Sequence, residues 1–140
     1  MALSANTFVN EMLGDDEEYP VAASTTIYEG AMIYLDGGYA KPLAATKECA
    51  GVAIAKADNS SGSAGDINVK VRARNFARKM SVTDLTITSE GAAVYGEDDA
   101  TVSLTAGSNK VCGVVRRYIA DGSAVIEYTN YGVRPAQSAT

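Results

Sequence analysis

A short sequence that occurs twice is the feature that most limits how this chain can fold. Residues 29–34, Glu-Gly-Ala-Met-Ile-Tyr, return 61 positions later at residues 90–95 as Glu-Gly-Ala-Ala-Val-Tyr. Each copy is followed by a turn, a Thr/Ala-rich stretch and a Gly-Val step, at residues 51–52 and 113–114. Repeated segments indicate repeated structural units. We therefore predict one β module built from two similar halves. We predict no enzyme, because neither copy contains a catalytic group of residues.

The composition favours strands over long helices. Ala, Val, Thr, Gly and Tyr are abundant, whereas Trp is absent and Phe occurs only twice, a mixture that suits pleated, half-buried strands. The 140 residues are enough for one domain with a hydrophobic core. The chain has no run of 18 apolar residues, so no membrane-spanning helix is predicted. The predicted fold class is all-β: an antiparallel β-sandwich or jelly-roll-like small barrel, with an extended N-terminal arm.

Nine segments have strand patterns separated by turn signals. They are residues 25–28, 31–35, 39–42, 49–57, 67–74, 92–95, 101–104, 110–119 and 124–128. Asp36-Gly37-Gly38 predicts a hairpin turn, because Gly tolerates a positive φ. Residues 76–88 predict only a strand or a short turn, and residues 58–66 have the composition of a flexible loop.

The chain divides into an arm at residues 1–22, a single β domain at 23–130 and a flexible tail at 131–140. The arm holds five acids and no base: Glu11, Asp15, Asp16, Glu17 and Glu18. Ordering about 20 residues costs roughly 20–40 kcal/mol of backbone entropy. Burying the arm's five apolar side chains returns only about 8–15 kcal/mol. We therefore expect the isolated arm to be disordered, and to order only on a partner that supplies backbone hydrogen bonds, as in strand addition.

A basic strand is predicted at residues 67–74, where apolar and polar residues alternate. Lys70, Arg72 and Arg74 fall on one face of this strand. That face is either simply solvated or a docking stripe for an acidic protein surface or for the arm of a neighbouring subunit. Nucleic acid is disfavoured, because the net charge is −5 and no aromatic residues alternate with the bases.

The residues needed for common chemistry are missing or badly placed. The chain contains no His, so it has no Ser-His-Asp or Cys-His arrangement. The acids at residues 15–18 and 97–99 lie in a predicted arm and turn, where solvated charges are expected. Residues 58–66 lack the spacing of a calcium loop. For Cys49 and Cys112 we expect two buried thiols, with a disulfide as the alternative. The sequence thus predicts no catalytic residues, no metal and no cofactor.

Five segments, taken in order, are similar to a known family. They are Thr-Ile-Tyr-Glu-Gly-Ala-Met-Ile-Tyr at 26–34, Cys-Ala-Gly-Val-Ala-Ile-Ala at 49–55, Val-Lys-Val-Arg-Ala-Arg at 69–74, Gly-Ala-Ala-Val-Tyr at 91–95 and Val-Cys-Gly-Val-Val-Arg-Arg-Tyr at 111–118. In this order and spacing, residues 21–129 resemble the capsid cement (head decoration) proteins of tailed bacteriophages. The resemblance implies a small β protein on the outside of an icosahedral head, where it clamps major capsid subunits together.

The resemblance implies a virion structural protein, made in the bacterial cytoplasm, that binds the phage major capsid protein. We expect a homo-oligomer, with a dimer favoured over a trimer. The alternative is a carbohydrate- or receptor-binding β module of a phage tail or cell surface, and a small hydrolase with paired acids is the third hypothesis. From charge and energetics, and not from the family, we predict these protein-interface residues: Phe8, Met12, Leu13, Asp15, Asp16, Glu17, Lys70, Arg72 and Arg74.

Overall fold

A computed structural model describes residues 5–6 and 16–128 of the protein, and the regular structure in them is almost entirely β. The strands are β1 (Asp16–Pro20), β2 (Thr25–Ile27), β3 (Met32–Asp36), β4 (Tyr39–Pro42), β5 (Gly51–Ala53), β6 (Ala57–Asn59), β7 (Asn68–Arg72), β8 (Phe76–Thr83), β9 (Ala93–Gly96), β10 (Thr101–Ser103), β11 (Val111–Ala120) and β12 (Ser123–Tyr128). A single 3₁₀ turn spans Ile87–Ser89. The all-β prediction is confirmed.

The first half of the chain forms a five-stranded sheet, the N-terminal sheet, in the order β1-β7-β5-β3-β4. Its neighbouring strands are antiparallel. Its two edge strands approach each other where Val21 forms a parallel bridge with Ala40 and the Ala22 N–H donates to the Ala40 carbonyl at 3.1 Å. The sheet is therefore curled around a core of its own, and β2 and β6 form a separate two-stranded sheet.

The second half of the chain forms a closed barrel, the C-terminal barrel, in the order β10-β8-β12-β11-β9. Four of its five strand pairs are antiparallel, as predicted for the fold class. The fifth pair, β8 with β10, is parallel. Closure leaves the barrel without a free sheet edge.

The sequence repeat is also a repeat of hydrogen bonds. In the first half, the Gly30 N–H donates to the Ala53 carbonyl, and the Ala53 N–H donates back to Ala31. In the second half, the Gly91 N–H donates to the Val115 carbonyl, and the Val115 N–H donates back to the Ala92 carbonyl. The strand register agrees: β3 pairs with β5 as β9 pairs with β11. The predicted two-half module is therefore a duplicated fold.

The duplication extends further than the sequence match, to the acidic strand β1. Glu17 of β1 lies opposite Val71 of β7, and Arg78 of β8 lies opposite Ile126 of β12. The parallel bridge of Val21 to β4 likewise corresponds to the parallel pairing of β8 with β10. Strands β1 and β8 are therefore equivalent members of the two halves.

The expectation that the isolated arm is disordered is wrong for residues 16–20. These residues form β1, which pairs antiparallel with β7 over its whole length. The backbone hydrogen bonds that the energetic argument assigned to a partner come from the same chain. Of the remaining arm, residues 1–4 and 7–15 lie outside the described residues, as does the predicted tail at 131–140.

One other segment differs from the sequence-based prediction. Residues 49–57 do not form one strand, because the chain bends after β5 and then pairs with β2 as β6. Of residues 76–88, where a strand or a short turn is predicted, 76–83 form the eight-residue strand β8, which pairs with two barrel neighbours. The loop at 58–66 is organised around Asn59, which is 3% exposed and whose Nδ2 donates to the carbonyls of Ala22 and Ser63 at 3.0 Å.

The two halves share one hydrophobic core at their junction. Met32, Leu43 and Val52 belong to strands or turns of the N-terminal sheet, yet they pack among the interior residues of the C-terminal barrel. A second core lies inside the N-terminal sheet. The barrel is therefore completed by side chains from the other half of the chain.

Candidate protein-interaction surfaces

The outer face of β1 and β7 carries a ladder of opposite charges. Val69 and Val71 are buried, and the alternating residues Lys70 and Arg72 are exposed, as the sequence predicted. Strand register places Asp16 opposite Arg72 and Glu18 opposite Lys70. The acidic strand and the basic strand therefore face each other within one chain.

The Asp16–Arg72 ion pair anchors the first rung of this ladder. Arg72 Nε donates to Asp16 Oδ1 at 2.9 Å, and Arg72 Nη2 donates to Oδ2 at 3.4 Å. The hydrogen bond from Arg72 lowers the pKa of Asp16 below its ordinary value. Both side chains remain more than a third exposed, so solvent screens the pair and it contributes little to stability.

The structure brings together only some of the predicted interface residues. Asp16, Lys70 and Arg72 lie on the charged outer face, whereas Glu17 lies opposite the buried Val71, on the other side of β1. Arg74 is half-buried beyond the end of β7. Phe8, Met12, Leu13 and Asp15 lie outside the described residues. The role of these nine residues in binding another protein stays a prediction.

The junction between the halves contains a shared hydrophobic core and hydrogen bonds, and sequence reasoning missed it. The Met32 N–H donates to the Asp99 carbonyl at 2.9 Å, and Arg78 Nη1 donates to the Gly30 carbonyl at 2.8 Å. Tyr128 donates its hydroxyl to the sulfur of Met32 at 3.4 Å and also to that of Met80. The sequence repeat contains one indication of this junction, a difference in side-chain size: the first copy has the large Met32 where the second copy has the small Ala93.

The two cysteines are free thiols that meet at this junction. A hydrogen bond between the protonated Cys112 thiol and Cys49, together with burial, raises the pKa of Cys112. Cys112 is buried and Cys49 half-buried, so the expectation of two buried thiols holds fully only for Cys112. A buried thiol that stays protonated at neutral pH is a poor nucleophile and metal ligand.

Within residues 5–6 and 16–128, no three His, Cys, Asp or Glu side chains cluster in a way that could hold a metal ion. In the same part of the chain, no helix is long and apolar enough to cross a membrane. The acids at residues 97–99 lie in a turn. Asp98 Oδ1 stabilises this turn by accepting hydrogen bonds from the Ala100 and Thr101 N–H groups at 2.8 and 2.9 Å.

Comparison with known proteins finds similarity of fold but none of sequence family. No family model matches the chain, and no curated protein matches it. Among solved structures, the chain is similar to the N-terminal base of the head fiber gp8.5 of bacteriophage phi29. The TM-score is 0.55 at 14% sequence identity, over 81% of this chain and 94% of that chain. At this identity the likeness shows a shared fold, and it spans nearly the whole of the head fiber base.

Proposed function

We propose that this protein is a structural protein of a phage virion, located on the outside of the head. The observation that carries the proposal is the shared fold with the base of a phage head fiber, which covers 94% of that base. The resemblance of residues 21–129 to cement proteins rests on sequence motifs, and it also implies a location on the head. A structural role also fits the polar side chains already described, which form hydrogen bonds or ion pairs in a turn, in the charged ladder and at the junction.

Within this role, we propose that the protein binds the major capsid protein and cements neighbouring capsid subunits. Many weak contacts repeated over a shell give large avidity, so no single contact needs to be strong. Residues 1–15 lead directly into β1, at the end of the charged ladder where Asp16 meets Arg72. The apolar Phe8, Met12 and Leu13 and the acidic Asp15 are in this segment, and we propose that it contacts the shell.

Binding to empty heads tests the proposal. Heads of the parent phage that lack this protein are mixed with the purified full chain, sedimented, and heated to find the temperature at which they break open. We expect the full chain to sediment with heads and to raise that temperature. Deletion of residues 1–15 should weaken binding by at least about tenfold, which corresponds to the loss of about 1.4 kcal/mol.

A deletion of residues 131–140 is the control, because the proposal gives that segment no contact with the shell. It should bind like the full chain. Failure of the full chain to sediment with heads overturns the virion proposal. Binding without any rise in the disruption temperature keeps the head location but overturns cementing.

A further inference from the structure

The contact between the two halves is asymmetric, because the first half supplies a strand face and the second half supplies a barrel end. The face is the outer surface of β3 and β5, where the cross-strand pair Met32 and Val52 is 0% and 4% exposed. The barrel end is open at Gly96, where the side chain of Leu43 inserts: a Cβ on Gly96 would lie 2.6 Å from Leu43 Cδ2. A small residue at the barrel end thus receives a large one that follows β4 and borders the face, where the Leu43 N–H donates to the Met32 carbonyl.

The equivalent strand face in the second half is only partly covered within the described residues. By the register of the repeat, it is the outer surface of β9 and β11, with the cross-strand pairs Ala93–Val114 and Tyr95–Val111. Val111 is 42% exposed, and the other three side chains are half-buried. No charged residue occurs in 93–95 or 111–114, in contrast to the charged outer face of β7.

The equivalent open end in the first half is also exposed. The pair Leu35–Ala40 of β3 and β4 corresponds to the pair Gly96–Val102 of β9 and β10. Leu35 therefore stands where the barrel has Gly96. It is 38% exposed, although Ile33, on the same side of β3, is fully buried.

We propose that the outer face of β9 and β11 binds the open end of the N-terminal sheet of a second copy of this chain. The partner is a second copy for the following reason. Within the chain, the face of β3 and β5 binds the barrel end, and the open end of the N-terminal sheet is the counterpart of that barrel end. The sizes at the corresponding positions are exchanged. Inside the chain Leu43 meets Gly96. In the proposed contact Thr105, which lies 62 residues after Leu43 as Gly113 lies after Gly51, would meet Leu35.

Such a contact uses one face and one end of every copy, so copies joined in this way form a ring where the rotation between neighbours closes, and an open filament where it does not. The smallest ring is a dimer. The ring continues the alternation of face and end that the halves already make inside each chain. This inference goes beyond the proposed function and does not depend on it, because it concerns the purified protein without phage heads.

Light scattering after size-exclusion chromatography tests the contact with two complementary variants. The face variant is Val111→Lys/Val114→Lys and the end variant is Leu35→Lys. Each alone should run at the mass of one chain, whereas the wild type runs at a whole multiple of it. An equal mixture of the two variants should form a two-chain species, because one intact face then meets one intact end.

The matched control is Ile119→Lys, on the same strand β11 as Val111 and 41% exposed, which should keep the wild-type mass. If either variant loses its fold, a mixture of Val111→Cys and Leu35→Cys chains should give a cross-linked pair with diamide, and Ile119→Cys with Leu35→Cys should not. The proposal is overturned by a wild type that runs as one chain, by an end variant with unchanged mass, or by a mixture without the two-chain species.

Discussion

Gly51 and Gly113 occupy the same place in the two halves, and both lie too close to a neighbouring strand for any side chain. A Cβ on Gly113 would stand 2.5 Å from the Glu127 carbonyl oxygen and 2.9 Å from a methyl group of Ile126. A Cβ on Gly51 would stand 2.5 Å from a methyl group of Val71. The repeated Gly-Val step is therefore a requirement of close strand packing, β5 against β7 and β11 against β12, and not a binding motif.

Replacing Gly113 by Ala should destabilise the protein more than an ordinary loss of glycine does. The new methyl group must displace backbone in a closed barrel, which costs about 1–3 kcal/mol in a well-packed core. The free energy of unfolding from urea titration measures this loss. The control is Gly107→Ala, where φ is +54° but nothing lies within 4 Å of the new atom, so only about 1 kcal/mol of backbone strain is expected. Equal losses in the two variants would contradict the close-packing argument.

At the scale of single elements, β1 shows where an energetic argument from sequence succeeds and where it stops. The acidic segment does need backbone hydrogen bonds from a neighbouring strand in order to be ordered, and β7 supplies them. Composition could not identify β7 as that neighbour, because it does not report which strand edges lie nearby. The charges did not identify it either, since residues 15–18 are one continuous acidic run, without the period of two that Lys70 and Arg72 show along β7.

Other elements divide according to how strongly a local pattern determines them. The hairpin of β3 and β4, the alternating strand β7 and the strands β9 to β12 carry local signals, and each was predicted. The bend after β5 was not, because Cys49 to Ala57 is a run of small residues without alternation. The parallel pairing of β8 with β10 was missed as well, since it joins segments about 20 residues apart through closure of the barrel.

The boundary between arm and sheet can be measured with two deletions. Removing residues 1–15 should leave the free energy of unfolding unchanged, because β1 stays complete. Removing residues 1–20 should lower it by about 3 kcal/mol, since the side chains of Val69 and Val71 lose cover that is worth roughly 1.5–3 kcal/mol each when complete. The longer deletion should also promote association, because it exposes the edge of β7. Equal stability of the two truncated chains would show that β1 is not part of the folded body.

At the scale of the whole molecule, the duplication explains the architecture but not the asymmetry between the halves. Each half repeats the same five-strand order, yet among the described residues only the core of the barrel contains buried side chains from the other half. The asymmetry comes from substitutions at equivalent positions, such as Met32 for Ala93 and Leu43 for Thr105. The repeat could be found from sequence, whereas the packing of one copy into the other could not, because it depends on which copy holds the larger side chains.

A shared core should make the two halves unfold as one unit, and Met32 is the residue that tests this. It belongs to β3 of the N-terminal sheet, is fully buried, and has its sulfur against Tyr128 and Cys112 of the barrel. Met32→Ala should cost about 2–5 kcal/mol, as for other truncations of buried side chains. Hydrogen exchange should show the same decrease in opening free energy at the slowest-exchanging amides of β7 and of β12, because opening either half removes packing from the other. The control is Ile54→Ala, at an exposed residue just after β5. It should lower neither the free energy of unfolding nor the protection of these amides by more than about 0.5 kcal/mol. Slower exchange in β7 than in β12 after Met32→Ala would mean that the N-terminal sheet keeps its fold when the barrel opens.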